Sequence, residues 1–313
     1  MTGSVRAIPE AATIVQAAVL HGPVVHAFST RQGGVSRPPF DTLNLGQSVG
    51  DDPAAVQENR RRFFGRFGIE PDHVVRVKQV HGERVLVIDE PATRRPGFPF
   101  SLIHEPVEAD ATITNLPGLA LVVSTADCVP ILIQDPARRA VAAVHAGWRG
   151  TAARIAARAV EAMARTYGTR PADCRAAIGP AIRRCCYQVD RPVQEQLAAG
   201  VASGGRHLEA DGPGYWRADL PGLNRAILLE AGLTGERIED VGLCTACRRD
   251  LFFSHRADRG RTGRMMNFIL LLPPAEPELP AEARQVREAE QNMSWEGGPP
   301  EQAATGEPFG EKR

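Results

Sequence analysis

Residues 111–150 read ATITNLPGLALVVSTADCVPILIQDPARRAVAAVHAGWRG. Within them Ala111–Thr114, Leu119–Ser124, Pro130–Gln134 and Ala140–His145 form a closely spaced set of apolar runs, which predicts strands. The connections NLPG (115–118) and DPARR (135–139) are turn-like, so several of these strands are expected to pair as hairpins in an antiparallel or mixed sheet. The alanine-rich stretch Thr151–Tyr167 that follows predicts a helix.

Working outward, Val24–Ser29, Val74–Lys78 and Arg84–Ile88 are short β-branched runs that also read as strands. Asp52–Phe67 opens on Asp-Asp-Pro, an N-cap with proline in the first turn, and predicts a helix. Arg191–Ala202 and Asp219–Ala231 are further helical candidates. Hairpin strands separated by helices indicate an α+β layered fold. No G-x-G-x-x-G follows a strand and no G-x-x-x-x-G-K-[ST] occurs, which disfavours nicotinamide and P-loop chemistry.

The 313 residues carry 37 Lys+Arg against 37 Asp+Glu, so no global field draws the chain to nucleic acid or to an anionic membrane. No apolar run approaches the roughly 20 residues that span a bilayer. The N-terminus lacks the layout of a signal peptide, which predicts a cytoplasmic protein with six reduced cysteines. Residues 1–272 are expected to form a single catalytic domain. Residues 273–313, rich in Pro, Glu and Gly, are expected to be a mostly disordered tail with at most a short helix near Ala281–Asn292. Glu90–Phe100 reads as an exposed loop.

Three residues stand in unusual company. His81 lies in Lys78-Gln79-Val80-His81-Gly82, Cys128 in Ser124-Thr125-Ala126-Asp127-Cys128-Val129-Pro130, and His145 is followed by Ala146-Gly147-Trp148-Arg149-Gly150. Each is placed at a strand end, where a side chain can project from a rigid sheet into a cleft. Two histidines and a cysteine suit zinc, with a fourth position open. Taken singly, each could equally be a hydrogen-bonded core histidine or a buried thiol. The small, polar, glycine-rich flanks are not what packing alone asks for.

The motifs QVHG (79–82), STADCVPILIQDP (124–136), VAAVHAGWRG (141–150), IGPAIRRCCYQV (178–189) and CTACRRDLFFSHRADRGRTGRMMNFI (244–269) together resemble the YfiH / polyphenol-oxidase-laccase family. The segment STRQGGVSRPPFDTLNLGQSVGDDPAAVQENR (29–60) matches the same family, so the resemblance spans roughly Phe28 to Ile269. Family members have also been called purine nucleoside phosphorylases and peptidoglycan editing factors. The resemblance implies an α-β-β-α layered sandwich of the YfiH-like type, whose relatives include proteins regarded as cysteine hydrolases. It also implies that His81, Cys128 and His145 are the metal ligands, usually taken as zinc.

The family resemblance further implies phosphorylase activity on adenosine, inosine and methylthioadenosine, with adenosine deaminase activity besides. Phosphorolysis needs phosphate held near C1′ and protonation of the departing base. Arg31 and Arg149, both close to glycines in the sequence, are candidates to clamp phosphate. Asp127 is a candidate general acid/base or a group that orients a ligand histidine. Ser254-His255-Arg256 and Gly263-Arg264-Met265 are expected to close the pocket, with Arg264 as a substrate contact. Purine nucleoside and phosphate are then the partners, with no obligate protein partner evident.

Two other reaction classes stay open. Cys128 as nucleophile with His145 as base would make a cysteine-type hydrolase acting on cell-wall muropeptides. Copper at the same site would permit polyphenol oxidation, although eight histidines without an H-x-H pair do not readily build a four-copper laccase. Cys244 and Cys247 have C-x-x-C spacing but no evident second pair, and read as a buried structural pair.

Overall fold

A computed structural model describes residues 14–89 and 107–274. The expected loop Glu90–Phe100, the helix near Ala281–Asn292 and all but the first two residues of the 273–313 tail lie outside the described residues.

Two sheets carry the fold. The six-stranded sheet runs in the order β13 (Ile238–Asp240), β9 (Arg175–Ile178), β7 (Val129–Asp135), β8 (Ala140–Ala146), β5 (Ala111–Thr114) and β4 (Val85–Ile88). The five-stranded sheet runs β1 (Ile14–Val15), β2 (Val24–Ser29), β14 (Met265–Leu271), β6 (Ala120–Thr125) and β3 (Val74–Val75). Both are mixed, with parallel pairs β13–β9, β4–β5 and β3–β6 among antiparallel ones. A separate antiparallel three-stranded sheet joins β10 (Gln188–Asp190), β12 (Tyr215–Ala218) and β11 (Leu208–Ala210).

The apolar runs are continuous because both faces of each strand are buried. In β7, Ile131 and Ile133 pack against the helices Ile155–Tyr167 and Leu220–Glu230, whereas Leu132 packs between the two large sheets. In β8, Ala142 and Val144 face the helices while Val141 and Ala143 face the second sheet. β14 divides in the same way. Met265, Ile269 and Leu271 point into the space between the sheets; Met266, Phe268 and Leu270 point to the outer layer. That outer layer is closed by the helix Pro53–Gly65, whose Phe63 and Phe64 rings lie 5.8 and 5.9 Å from Phe268. The order is therefore helix, sheet, sheet, helices, an α+β sandwich. Burying each such phenyl ring contributes on the order of 1.5–3 kcal/mol.

The β7–β8 hairpin forms as its turn chemistry predicts. Asp135 pairs with Ala140, and its Oδ1 accepts the N–H groups of Ala137 and Arg138, while Arg139 takes φ +50°. NLPG behaves otherwise. It joins β5 to β6, which belong to different sheets, so it is a crossover and not a hairpin turn. Its Gly118, at φ +82°, donates to Leu271 O. Residues 126–128 make the return crossing from β6 to β7, which places Asp127 and Cys128 where the two sheets meet.

The predicted helix Thr151–Tyr167 is two helices. Trp148–Ala152 forms a short one, Arg154 turns the chain through the left-handed region at φ +61°, and Ile155–Tyr167 follows to a left-handed Gly168 cap. Asp52 caps Pro53–Gly65 through Ala54 N–H, as its sequence predicts.

Candidate metal centre and its cavity

His145 is the next-to-last residue of β8, paired with Pro130 of β7. Cys128 immediately precedes β7, and His81 sits in the turn before β4. One ligand atom from each of the three lies within 4.8 Å of the others. The His81 and His145 ring centroids are 4.9 Å apart, at an interplanar angle of 79°. His145 is buried, Cys128 half-buried and His81 exposed, so the cluster opens to solvent on the His81 side.

Several contacts fix this arrangement. Asp110, fully buried just ahead of β5, accepts from His145 Nδ1 at 2.8 Å, leaving Nε2 to face the cluster. The same carboxylate receives the N–H groups of Val80, His81 and Gly82. Gln79 clips the turn to β6 by donating to Ser124 O at 2.8 Å and accepting Ser124 N–H at 2.7 Å. A Cβ on Gly147 would stand 3.0 Å from His81 Cδ2 and 3.1 Å from Cys128 Sγ, so a side chain there would press on both of these residues. His81 at φ +59° and Asp127 at φ +96° both hold left-handed backbone, strain of about 1–3 kcal/mol each concentrated beside the cluster.

The electrostatics favour an anionic thiol. Burial raises the Cys128 pKa, but His145 and His81 outweigh it and bring the thiol down to about 6. Burial lowers the His145 pKa, yet the Cys128 charge and the Asp110 hydrogen bond push it up to about 9. A thiolate, two imidazoles and a carboxylate behind one of them are the donor set of an open divalent metal site.

The cluster lies in a cavity of about 630 Å³, within the ~300–1,000 Å³ typical of small-molecule sites. Trp148 and Tyr187 offer ring surfaces, and Arg149, Arg256 and Arg264 offer cationic groups. Arg149 is exposed, with its guanidinium 4.3 Å above the Trp148 ring. Among the described residues no carboxylate pairs with it. Burial lowers the Arg264 pKa, while Cys128 and Asp127 act the other way.

The sequence-predicted residues divide. His81, Cys128 and His145 come together, and Asp127, Arg149, His255 and Arg264 line the same cavity. Arg31 does not. Its guanidinium is spent on Asp41 O, Arg249 O and the Asp41 carboxylate, and it lines a separate depression. Asp127 does not orient a ligand histidine. It accepts from Thr245 Oγ1 and Arg256 N, both at 2.6 Å, and Asp110 serves His145 instead. Asp110 was not visible in the sequence because Glu108-Ala109-Asp110-Ala111 carries no motif; only its place one residue ahead of a strand could have suggested it.

Residues 25–272 match the family model described as multi-copper polyphenol oxidoreductase laccase. A Bacillus subtilis protein named purine nucleoside phosphorylase YlmD is 37% identical over 247 residues, covering 79% of this chain and 88% of the relative. The purine nucleoside phosphorylase of Deinococcus radiodurans is 41% identical over 248 residues, covering 79% and 88%. Among solved structures, the Bacillus licheniformis hypothetical protein YfiH superposes with a TM-score of 0.75 at 39% identity, covering 79% of this chain and 92% of its own. YlmD from Geobacillus stearothermophilus gives 0.74 at 35% identity, covering 85% and 94%. No helix among the described residues is long and apolar enough to cross a membrane.

Proposed function

The chain belongs to the multi-copper polyphenol oxidoreductase laccase family, and from that membership and the cavity we propose that it is a metal-dependent purine nucleoside phosphorylase. The observation that carries the reading is the open His81–Cys128–His145 cluster in a cavity that also presents ring faces and cationic side chains. Relatives named purine nucleoside phosphorylase support it. Zinc fits the donor set: nitrogen and sulfur ligands within 4.8 Å of one another, one of them braced by a buried carboxylate. When bound, such a metal supplies Lewis acidity toward a substrate oxygen or nitrogen.

The chain's own side chains account for the rest. Trp148 and Tyr187 offer π-faces to a purine. Arg149 and Arg264 hold phosphate, whose oxygen bonds to C1′ as the C1′–N9 bond breaks and its electron pair passes to the base. The departing purine takes a proton, for which His255 is the remaining imidazole of the lining. Asp127, engaged by Thr245 and Arg256, acts as a positioning residue for the wall of the cavity. Deamination of adenosine would use the same open cluster.

One observation favours a second reading. Asp110, His145 and Cys128 line up as acid, base and nucleophile, the kit of a thiol hydrolase. His81 stands outside the Asp110–His145–Cys128 line and adds a third ligand atom to the cluster, which favours the metal reading. A four-copper oxidase is poorly served, since the described residues group two histidines and one cysteine here and four cysteines elsewhere.

Metal analysis alongside product identification from adenosine and inosine, with and without phosphate, tests the proposal. Phosphate-dependent release of free base, abolished by chelation, is expected. Full turnover by chelated protein would overturn it.

A further inference from the structure

Cys244 and Cys247 do have a second pair, and it comes from Cys185 and Cys186. The sulfur atoms of all four lie within 4.8 Å of one another, and none of the four lines the cavity. Cys185 and Cys186 occupy a turn after β9 in which Cys186 N–H and Tyr187 N–H both donate to Arg183 O. Cys244 and Cys247 bound a tight turn in which Arg248 N–H donates to Cys244 O. The two turns are joined by a parallel bridge between Ala181 and Cys244. Arg183 reinforces that join by gripping both oxygens of Asp240 at 2.8 and 2.6 Å.

We propose that Cys185, Cys186, Cys244 and Cys247 bind one zinc ion in a closed, four-thiolate structural site, independent of the His81–Cys128–His145 cluster. Zinc–sulfur bonds of about 2.3 Å place the sulfurs of a tetrahedron about 3.8 Å apart. Cys247 Sγ stands 3.5 Å from Cys185 Sγ and 3.4 Å from Cys186 Sγ, within 0.1 Å of the same distance from two thiols and bonded to neither. Backbone hydrogen bonds on either side of Cys244 hold the two turns together, Ala181 N–H donating to Leu243 O at 3.2 Å and Thr245 N–H to Ala181 O at 3.1 Å. Tetrahedral four-sulfur sites select zinc or iron, and the close mutual spacing fits a single ion better than a cluster. Binding displaces the four thiol protons to solvent.

The site would act on the cavity from behind. Thr245, between the two ligand cysteines of its turn, holds Asp127, the neighbour of Cys128. Ile182 and Tyr187, which flank the other turn, line the cavity wall. A zinc ion here would staple the two turns that carry that wall.

The test uses the full chain purified under reducing conditions with zinc supplied. Wild type is expected to hold two zinc ions per chain. A folded His81→Ala/His145→Ala variant should keep one, with an X-ray absorption spectrum showing four sulfur neighbours at about 2.3 Å. A Cys185→Ser/Cys247→Ser variant should also keep one, with a mixed nitrogen and sulfur shell. A folded His81→Ala/His145→Ala variant without zinc, with iron instead, or with these cysteines recovered as disulfides after alkylation and mass spectrometry, would overturn the proposal. Because that variant leaves all four cysteines intact, the result stands even where the cysteine variant fails to fold, and it does not depend on the reaction proposed for the cavity.

Discussion

Asp110 Oδ1 lies 2.8 Å from His145 Nδ1, and the same carboxylate receives the backbone N–H of Val80, His81 and Gly82 at 3.2, 3.0 and 2.6 Å. One buried acid thus aims one candidate ligand ring and fixes the turn that carries the other. Its hydrogen bonds to His145 and Gly82 outweigh burial and hold the carboxyl below its ordinary range.

Replacing Asp110 by Asn keeps the shape but removes the charge that makes the His145 ring a stronger donor. Zinc affinity of Asp110→Asn is expected to fall by about 10- to 100-fold, read by competition with a chromophoric chelator. Unchanged affinity in a folded variant would show that the carboxylate serves only the backbone.

Gly147 is tested by addition of one methyl group. With His81 Cδ2 at 3.0 Å and Cys128 Sγ at 3.1 Å from an added Cβ, Gly147→Ala must spread the cluster. Its backbone φ of −71° suits alanine, so the cost falls on the cluster and not on the turn. A loss of kcat/KM of about tenfold or more, roughly 1.4 kcal/mol, is expected with little change in unfolding midpoint. Equal losses in stability and activity would point to general disruption instead.

The physical reach of the sequence stops at identifiable places. The runs 129–135 and 140–146 and the Asx turn between them depend on local chemistry, and they were legible. NLPG was misassigned because a turn tetrapeptide does not say whether the next strand returns to the same sheet. The helix break at Arg154 left no proline or glycine to mark it. Met265–Leu271, at the heart of the five-stranded sheet, pairs with Val24–Ser29 and Ala120–Thr125, both far away in the chain, so no local hairpin turn announces the strand. His81, Cys128 and His145 were legible because rare residue types stand among small flanks. Cys185 and Cys186 were not paired with Cys244 and Cys247 because almost 60 residues separate two turns that only the adjacency of Ala181 and Cys244 brings together.

His26 predicts an acid limit to stability. Its ring is buried on β2, its Nε2 accepts Ala17 N–H at 3.0 Å, and burial brings its pKa down to about 4. The unfolded chain titrates this group near 6.5. A depressed folded pKa means that the stability is fully present above about pH 6.5 and is lost as pH falls toward 4, by up to about 3 kcal/mol. His26→Gln keeps an acceptor for Ala17 without the titration. Urea unfolding at pH 7.5 and 4.5 should show a smaller pH-dependent loss in the variant than in wild type. Identical losses would place the acid sensitivity elsewhere.

Arg149 carries the phosphate side of the proposed reaction. It lies in the cavity lining, exposed, stacked at 4.3 Å on Trp148, with no carboxylate partner among the described residues to neutralise it. The stack holds a planar fork of donors in place, a geometry that matches two phosphate oxygens at once and that a lysine point charge cannot reproduce. The helix Trp148–Ala152 is too short to supply a strong dipole of its own, so the guanidinium must carry most of the attraction. Arg149→Lys is therefore expected to raise the phosphate KM about tenfold, corresponding to roughly 1.4 kcal/mol, while zinc content stays unchanged because the guanidinium is no ligand. Initial rates against phosphate at saturating nucleoside, with metal analysis on the same samples, give both readouts. An unaltered phosphate KM in the fully metallated variant would remove Arg149 from the anion site and leave Arg264, half-buried beside Asp127 and Cys128, as the cation to test next.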